Sequence, residues 1–358
     1  ISLRIFLIIP IIHMKNIGET GKPLTLRDIS VAAGVSKATV SNVLNDKPGV
    51  GRALRKKIQK IIKAHRYAPR PSARHLSLNR ADTLAALFID ITPGWLLTVY
   101  RAALGQALEM KYNMVTALSS HYGDEFELPT SVLGTIDVDG LVWFDPRVQD
   151  KLVLRFRRLH AIPFVLIQSH VRVPGVTTIS IENERGAYHA VQHLIGLGRK
   201  RFMFITGQPD NPDSNERMRG AQRALQDARI KISPTYILNG QNTKPDTLRP
   251  LTDFFQSGRH APPDAIFAFN DTMALTAMRF LRSKRIRVPE DVAIVGFDGI
   301  DEAKEEGLTT IETPVRELGI MATKTLVEMI QKPETRKVSR NFILEGALWI
   351  GKSCGATK

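Results

Sequence analysis

From Thr83 onward, short runs of consecutive apolar residues alternate with longer amphipathic stretches, and this alternation restricts the fold more than any other feature of the 358-residue chain. The apolar runs fall at 84–89, 113–118, 140–144, 164–167, 202–206, 236–238, 265–269 and 292–297. Helical periodicity occupies 95–110, 187–197, 216–228 and 271–284. A strand that is apolar along its whole length must be covered on both faces, which is the condition of a parallel sheet flanked by helices. The region from 83 to the end is too long for one open sheet, so the pattern predicts an α/β region of two parallel-sheet subdomains. Ligands of such folds sit at the carboxyl ends of the strands.

The residues before this region have a different character. Residues 1–80 carry 16 Lys and Arg against 3 Asp and Glu, whereas the remaining 278 residues carry 34 against 32. Nearly all of the chain's net charge of +15 therefore lies in one short segment. A basic module joined to a neutral body points to a polyanion partner for the first and a separate task for the second.

Three helical patterns fill 26–65. Thr25 with Asp28 three residues later reads as a capping box for a first helix over 26–33, whose Ile29 and Ala33 share a face. Gly34 permits a left-handed turn, and Ser36 caps a second helix over 37–44 with Val40, Val43 and Leu44 inward. A loop over 45–49 leads to a third helix over 52–65, with Leu54, Ile58, Ile61 and Ile62 on one side. Two short helices joined by a glycine turn and packed on a third describe a helix-turn-helix domain, whose second helix enters the major groove. Lys37 suits guanine O6 or N7, Asn42 suits adenine N6 and N7, and the short hydroxyls of Thr39 and Ser41 suit phosphates.

These residues closely resemble the lactose-repressor (LacI/GalR) family. The stretch LRDISVAAGVSKATVSNVLN at 26–45 is similar to the family's N-terminal signature, and YAP at 67–69 with ARHL at 73–76 is similar to its hinge. Further family-like blocks are VDG (138–140), HLIGLG (193–198), RMRG (217–220), FNDTMAL (269–275) and VPEDVAIVGFD (288–298). The resemblance implies a DNA-binding surface that includes Thr25, Ser36, Lys37, Ala38, Thr39, Ser41, Asn42, Asn45, Tyr67, Arg74 and Leu76. Of these, Lys37, Ala38 and Asn42 match base-reading positions, and Leu76 matches the leucine wedged into the minor groove. Gly51 departs from the usual Ser cap of the third helix, and Leu54, Arg70 and Pro71 also differ from the common pattern.

For the second region the resemblance implies a periplasmic-binding-protein-like domain with a small-molecule effector in its cleft. Arg217, Asn270 and Asp298 match effector contacts, Trp95 is a candidate stacking ring, and Asp139 and Glu182, the latter in place of the family's usual Asp, are further candidates near predicted strand ends. A fork of donors, an acceptor and an amide suit a sugar or sugar derivative. The implied organisation is an N-terminal extension (1–24), the helix-turn-helix domain (25–68), a hinge (69–82) and an effector-binding and dimerisation domain (83–358). Its N-subdomain takes about 83–183 and 315–342, and its C-subdomain about 184–314 and 343–358. The implied partners are palindromic operator duplex DNA, the effector and a second copy of the chain, in the cytoplasm.

No cofactor, metal site or catalytic motif is expected: neither a P-loop nor a Gly-x-Ser-x-Gly elbow occurs. His189 and His193 have metal-compatible spacing but no zincin Glu beside them. A transport binding protein would have no use for 25–76, and an architectural DNA protein no use for the neutral body. The lone Cys354 cannot form an internal disulfide, which fits a reducing compartment. The apolar run at 5–12 is shorter than the roughly 20 residues a membrane span needs. Met14 is the expected natural start, which the intact mass of the native protein checks.

Overall fold

The computed structural model describes residues 25–44, 47–65, 80–88, 94–118 and 137–356. The chain divides into two compact units, one within residues 1–81 and one from Asp82 onward.

The first unit holds α1 (Leu26–Ala33), α2 (Lys37–Leu44) and α3 (Arg52–Ala64). Thr25 caps α1 by accepting from the Asp28 amide, while the Asp28 carboxylate accepts from the Thr25 amide at 2.8 Å. Gly34 then turns the chain at φ 70°, a conformation that costs other residues energy. The Ser36 hydroxyl accepts from the Thr39 amide at 3.1 Å and starts α2. Ile29, Ala33, Val40, Val43 and Ile58 form the buried core, edged by Leu54, Ile61 and Ile62. Lys57 donates to the Ala33 carbonyl at 3.2 Å, a cation at the negative end of α1. The third helix stops one residue short of its expected end, with His65 as its cap.

The second unit contains, among the described residues, two six-stranded sheets. The first takes β1 (Thr83–Phe88), β2 (Asn113–Leu118), β3 (Gly140–Phe144), β4 (Phe164–Ile167), β5 (Thr177–Ile181) and β11 (Arg340–Leu344), in the order β11-β5-β4-β3-β1-β2 and all parallel. The second takes β6 (Phe202–Thr206), β7 (Ile237–Asn239), β8 (Ala265–Ala268), β9 (Ala293–Asp298), β10 (Thr309–Glu312) and β12 (Ala347–Trp349), in the order β12-β10-β9-β8-β6-β7. Here β12 alone runs antiparallel. The inner strands β1, β3, β4, β8 and β9 are buried along their whole length, as their continuous apolar composition requires. Two parallel-sheet α/β lobes are therefore observed as expected.

Helices α4 (Gly94–Glu109), α5 (Asp150–Leu159) and α11 (Val315–Gln331) accompany the first sheet. Helices α6 (Asn183–Gly196), α7 (Pro212–Asp227), α8 (Lys244–Ser257), α9 (Asp271–Ser283) and the short α10 (Asp301–Glu305) accompany the second. Two pairs are held at backbone distance by glycine. A Cβ on Gly319 of α11 would overlap the Val99 carbonyl of α4, and one on Gly220 of α7 would overlap the Glu184 carbonyl of α6. The chain passes between the sheets three times, after β5, after β10 and after β11. The first sheet keeps the chain to Leu344, two residues beyond the expected 342.

Several elements have no counterpart in the sequence reading. Strands β5, β10 and β11 mix Thr, Arg, Asn and Glu with apolar residues, so they lack the continuous run that marks a buried strand. Strand β12 is only three residues long.

Candidate nucleic-acid interface and ligand cleft

In α2, Val40 and Val43 point into the core of the first unit. At 100° per residue, Lys37, Ala38, Ser41 and Asn42 fall on the opposite side. Lys37 and Ala38 are exposed, and Ser41 and Asn42 are partly so. Thr25 and Ser36 are exposed caps at the amino ends of α1 and α2, where backbone N–H groups and the helix dipole favour anions. The Ser36 hydroxyl is also bonded to that of Thr39 at 2.9 Å. Among the described residues of this unit, ten Lys and Arg stand against a single carboxylate, Asp28, held below its ordinary range by its hydrogen bonds from Thr25. A short helix with small polar side chains outward on a basic body can insert into a groove of DNA. Asn45, Tyr67, Arg74 and Leu76, with most of the expected hinge, lie outside the described residues.

In the second unit, three of the expected cleft residues meet at the carboxyl ends of β8 and β9. Arg217, on α7, lays its guanidinium 3.8 Å from the centre of the Phe297 ring. It donates to the Phe269 carbonyl, to Asn183 Oδ1 at 2.8 Å and to Asp298 Oδ1 at 3.4 Å. Asn270 caps α9 by accepting from the Met273 amide at 2.8 Å and directs its amide nitrogen to Asn242 Oδ1 at 3.4 Å. Asp298 ends β9 at φ 123°, a backbone region that favours glycine. Holding a side chain there costs on the order of 1–3 kcal/mol, the kind of strain that concentrates at functional sites.

Behind Asp298 lies a second buried carboxylate. Asp271 accepts from the amides of Gly299 and Ile300 at 2.7 and 2.9 Å and from the Thr310 hydroxyl at 2.6 Å. Burial, and then the nearby charge of Asp298, push Asp271 up to about 8. Burial outweighs the opposing pull of Arg217 and pushes Asp298 up to about 7.

Trp95 stands on the other lobe, at the start of α4, with its ring edge-on to Phe144 at 5.5 Å. Phe144 is the last residue of β3, so Trp95 too lies at a carboxyl edge. Asp139 is not brought to this group. It precedes the first residue of β3, and its carboxylate accepts from the Thr83 amide at 3.3 Å, at the amino ends of β1 and β3. Glu182 caps α6 by accepting from the Arg185 amide.

A set of polar residues with no counterpart in the sequence reading spans the two lobes. Gln168 and His170 follow β4 in the first lobe, and Asp213 and Glu216 lie on α7 in the second. Gln168 donates to Asp213 Oδ2 at 3.2 Å. The His170 ring places Nε2 at 3.2 Å from Asp213 Oδ1 and Nδ1 at 3.4 Å from Glu216 Oε1. Its hydrogen bond to the Asp213 carboxylate raises His170 above the ordinary histidine range, and burial raises Glu216. Asn183 donates to both Asp213 and Glu216 and accepts from Arg217, which joins this set to the cleft. Arg147 and Asp210 form a further link at 3.3 Å. One signal was present in the sequence: Asp213, Glu216 and Arg217 are spaced three and four apart, on one face of a helix.

Comparison with known proteins agrees with this arrangement. A family model described as bacterial regulatory proteins, lacI family, matches residues 25–70, and one described as periplasmic binding protein-like domain matches 191–354. The HTH-type transcriptional repressor PurR of Vibrio atlanticus (strain LGP32) is 30% identical over 315 residues, which cover 87% of this chain and 94% of that protein. Among solved structures, a transcriptional regulator CelR–cellobiose complex superposes with a TM-score of 0.67 at 28% identity, covering 92% of this chain and 99% of that one. The lac repressor dimer bound to operator and the anti-inducer ONPF superposes with a TM-score of 0.81 at 23% identity, covering 94% and 100%.

Proposed function

This chain belongs to the LacI family of bacterial regulatory proteins, DNA-binding transcriptional regulators controlled by small-molecule effectors, and on that premise we propose how it works. It is a homodimeric repressor that acts in the cytoplasm by binding rather than by catalysis. Two copies of α2 enter successive major grooves of a palindromic operator. Lys37, Ala38 and Asn42 read base edges, while Thr25, Ser36, Thr39 and Ser41 hold phosphates. Asn45, Tyr67, Arg74 and Leu76 complete the contact with DNA.

The effector is a sugar or sugar derivative. Arg217 supplies a rigid fork of donors, Asp298 and Asn270 supply acceptor and amide, and Trp95 supplies an aromatic face from the other lobe. A ligand shifts operator affinity only to the extent that it binds one lobe arrangement better than the other. The observation that carries the reading is the opposition on α2 of two buried valines to an outward row of small polar side chains, in a chain whose other unit gathers Arg217, Asn270 and Asp298. The solved CelR complex holds cellobiose in a protein of this fold, which supports the carbohydrate class.

Selection of bound sequences from a random duplex pool, with and without added sugars, tests both parts. A single palindromic site whose recovery changes when a sugar is present is the expected result. Equal retention of every sequence at physiological salt would remove the operator reading. Stabilisation and release by a purine alone would replace the effector class.

A further inference from the structure

We propose that His170, Asp213 and Glu216 form a binding site for a divalent transition-metal ion, of which zinc is the type, that ties the first lobe of the effector domain to the second. The site adjoins the effector contacts through Asn183, which bonds both carboxylates and Arg217, and it does not require the effector to be a sugar.

The donor set is one imidazole and two carboxylates, a combination that suits zinc and neighbouring first-row ions. One donor atom from each residue lies within 4.8 Å of the other two. Donors about 2.0–2.2 Å from a tetrahedral zinc stand roughly 3.5 Å from one another, so uptake draws the three together by about 1 Å at the widest point. His170 belongs to the segment after β4 and the carboxylates to α7, so that contraction brings the lobes closer.

The surrounding amides are arranged as the outer shell of such a site. Gln168 has its oxygen committed to the Ile181 amide and turns its nitrogen to Asp213 Oδ2. Asn183 has its oxygen committed to Arg217 and turns its nitrogen to Asp213 Oδ1 and Glu216 Oε2, at 3.1 and 3.2 Å. Both amides are therefore fixed as donors to the carboxylates, which is how outer-shell partners orient metal ligands.

The charge balance points the same way. Two carboxylates, one of them with only 12% of its side chain exposed, face a single imidazole. Arg219 touches Glu216 only from the rim, at 3.6 Å and 56% exposed, and Arg217 is turned toward Asp298 and Phe269. Where the ring has lost its proton, a dication bound to it neutralises both acids at once.

The test uses the full chain without a histidine tag, stripped with a chelator, at mildly alkaline pH so that protons do not occupy the ring. Equilibrium dialysis against Zn2+ with metal analysis is expected to give one ion per chain, and added Zn2+ to raise the melting temperature by mass action. His170→Gln and Glu216→Gln each remove a ligand and should weaken uptake by more than the roughly 10–100-fold that loss of an outer-shell partner costs. His193→Gln, whose ring faces Cys354, should leave uptake unchanged. Should either ligand variant fold poorly, Co2+ bound to the unaltered chain gives a second readout. The expected result is intense visible absorption of a four-coordinate site with a nitrogen ligand. Absence of saturable uptake, uptake that survives loss of both His170 and Glu216, uptake abolished by His193→Gln, or the weak spectrum of hydrated cobalt would each overturn the proposal. None of these results bears on whether the operator selection succeeds.

Discussion

In the proposed function Lys37 and Arg217 do opposite kinds of work with similar charge, and substitutions separate them. Lys37 is exposed at the first position of α2, so Lys37→Ala leaves the core untouched. It should change base preference at one operator position, worth about 1–3 kcal/mol, which repeated sequence selection with the variant measures. An unaltered preference would assign Lys37 to phosphate alone. Arg217 makes its contacts through a planar fork that lysine lacks. Arg217→Lys should preserve operator affinity while weakening the effector response by about tenfold or more, the worth of one charge-assisted hydrogen bond. Titrating effector against a labelled operator duplex separates the two constants.

Asp298 and Asp271 carry a pH dependence of definite sign. Their folded pKa values, about 7 and about 8, lie above the roughly 4 of an unfolded Asp, so the native state holds the extra protons. The pair's contribution to stability is full below about pH 4 and falls as pH rises to about 8. Other groups titrate too, so the comparison to make is with Asp298→Asn. The unfolding free energy of the variant relative to the parent should climb across that window. A constant difference would show that burial does not govern this pair.

Residue identity pointed to Arg217, Asn270 and Asp298 because each stands in a contiguous motif, Asn270 and Asp298 at strand ends and Arg217 within α7. It did not convey Gln168, His170 and Asn183, since they come from separate stretches and only the folded chain shows that they converge on Asp213 and Glu216 of α7. Asp139 illustrates the converse. A carboxylate beside a strand signals a ligand edge only when it follows the strand, and this one precedes β3.

For the elements, the continuous apolar runs were legible because full burial leaves no room for polar alternation. The edge strands β11 and β12 were not, because half-exposed positions tolerate any residue type. Gly220 shows how an element's packing hides in one residue. Alanine normally favours a helix by about 1 kcal/mol over glycine, yet here a Cβ would meet the Glu184 backbone rather than a yielding side chain. Overpacking of about 1–3 kcal/mol should win. Gly220→Ala is expected to lower the denaturant midpoint of the effector domain, and a raised midpoint would mean that α6 and α7 separate easily. At the other end of the chain, Thr25→Ala removes the α1 cap and should destabilise the first unit by about 0.5–2 kcal/mol, read by thermal unfolding.

On the scale of the molecule, the charge division seen in the sequence predicts how affinity responds to salt. Operator affinity should fall steeply with ionic strength, because each cation held by a phosphate releases a counterion, while effector affinity should hardly change. Parallel salt titrations of the two equilibria check this. The three passages of the chain between the sheets have a mechanical consequence. The first and third are tied where the Glu182 amide meets the Leu344 carbonyl at 2.8 Å, with Arg185 and Glu345 paired alongside. A single backbone cut by a protease in any one passage therefore severs one of three plies and leaves the lobes threaded together. The nicked protein should migrate as one species in native gels and come apart into fragments only when denatured.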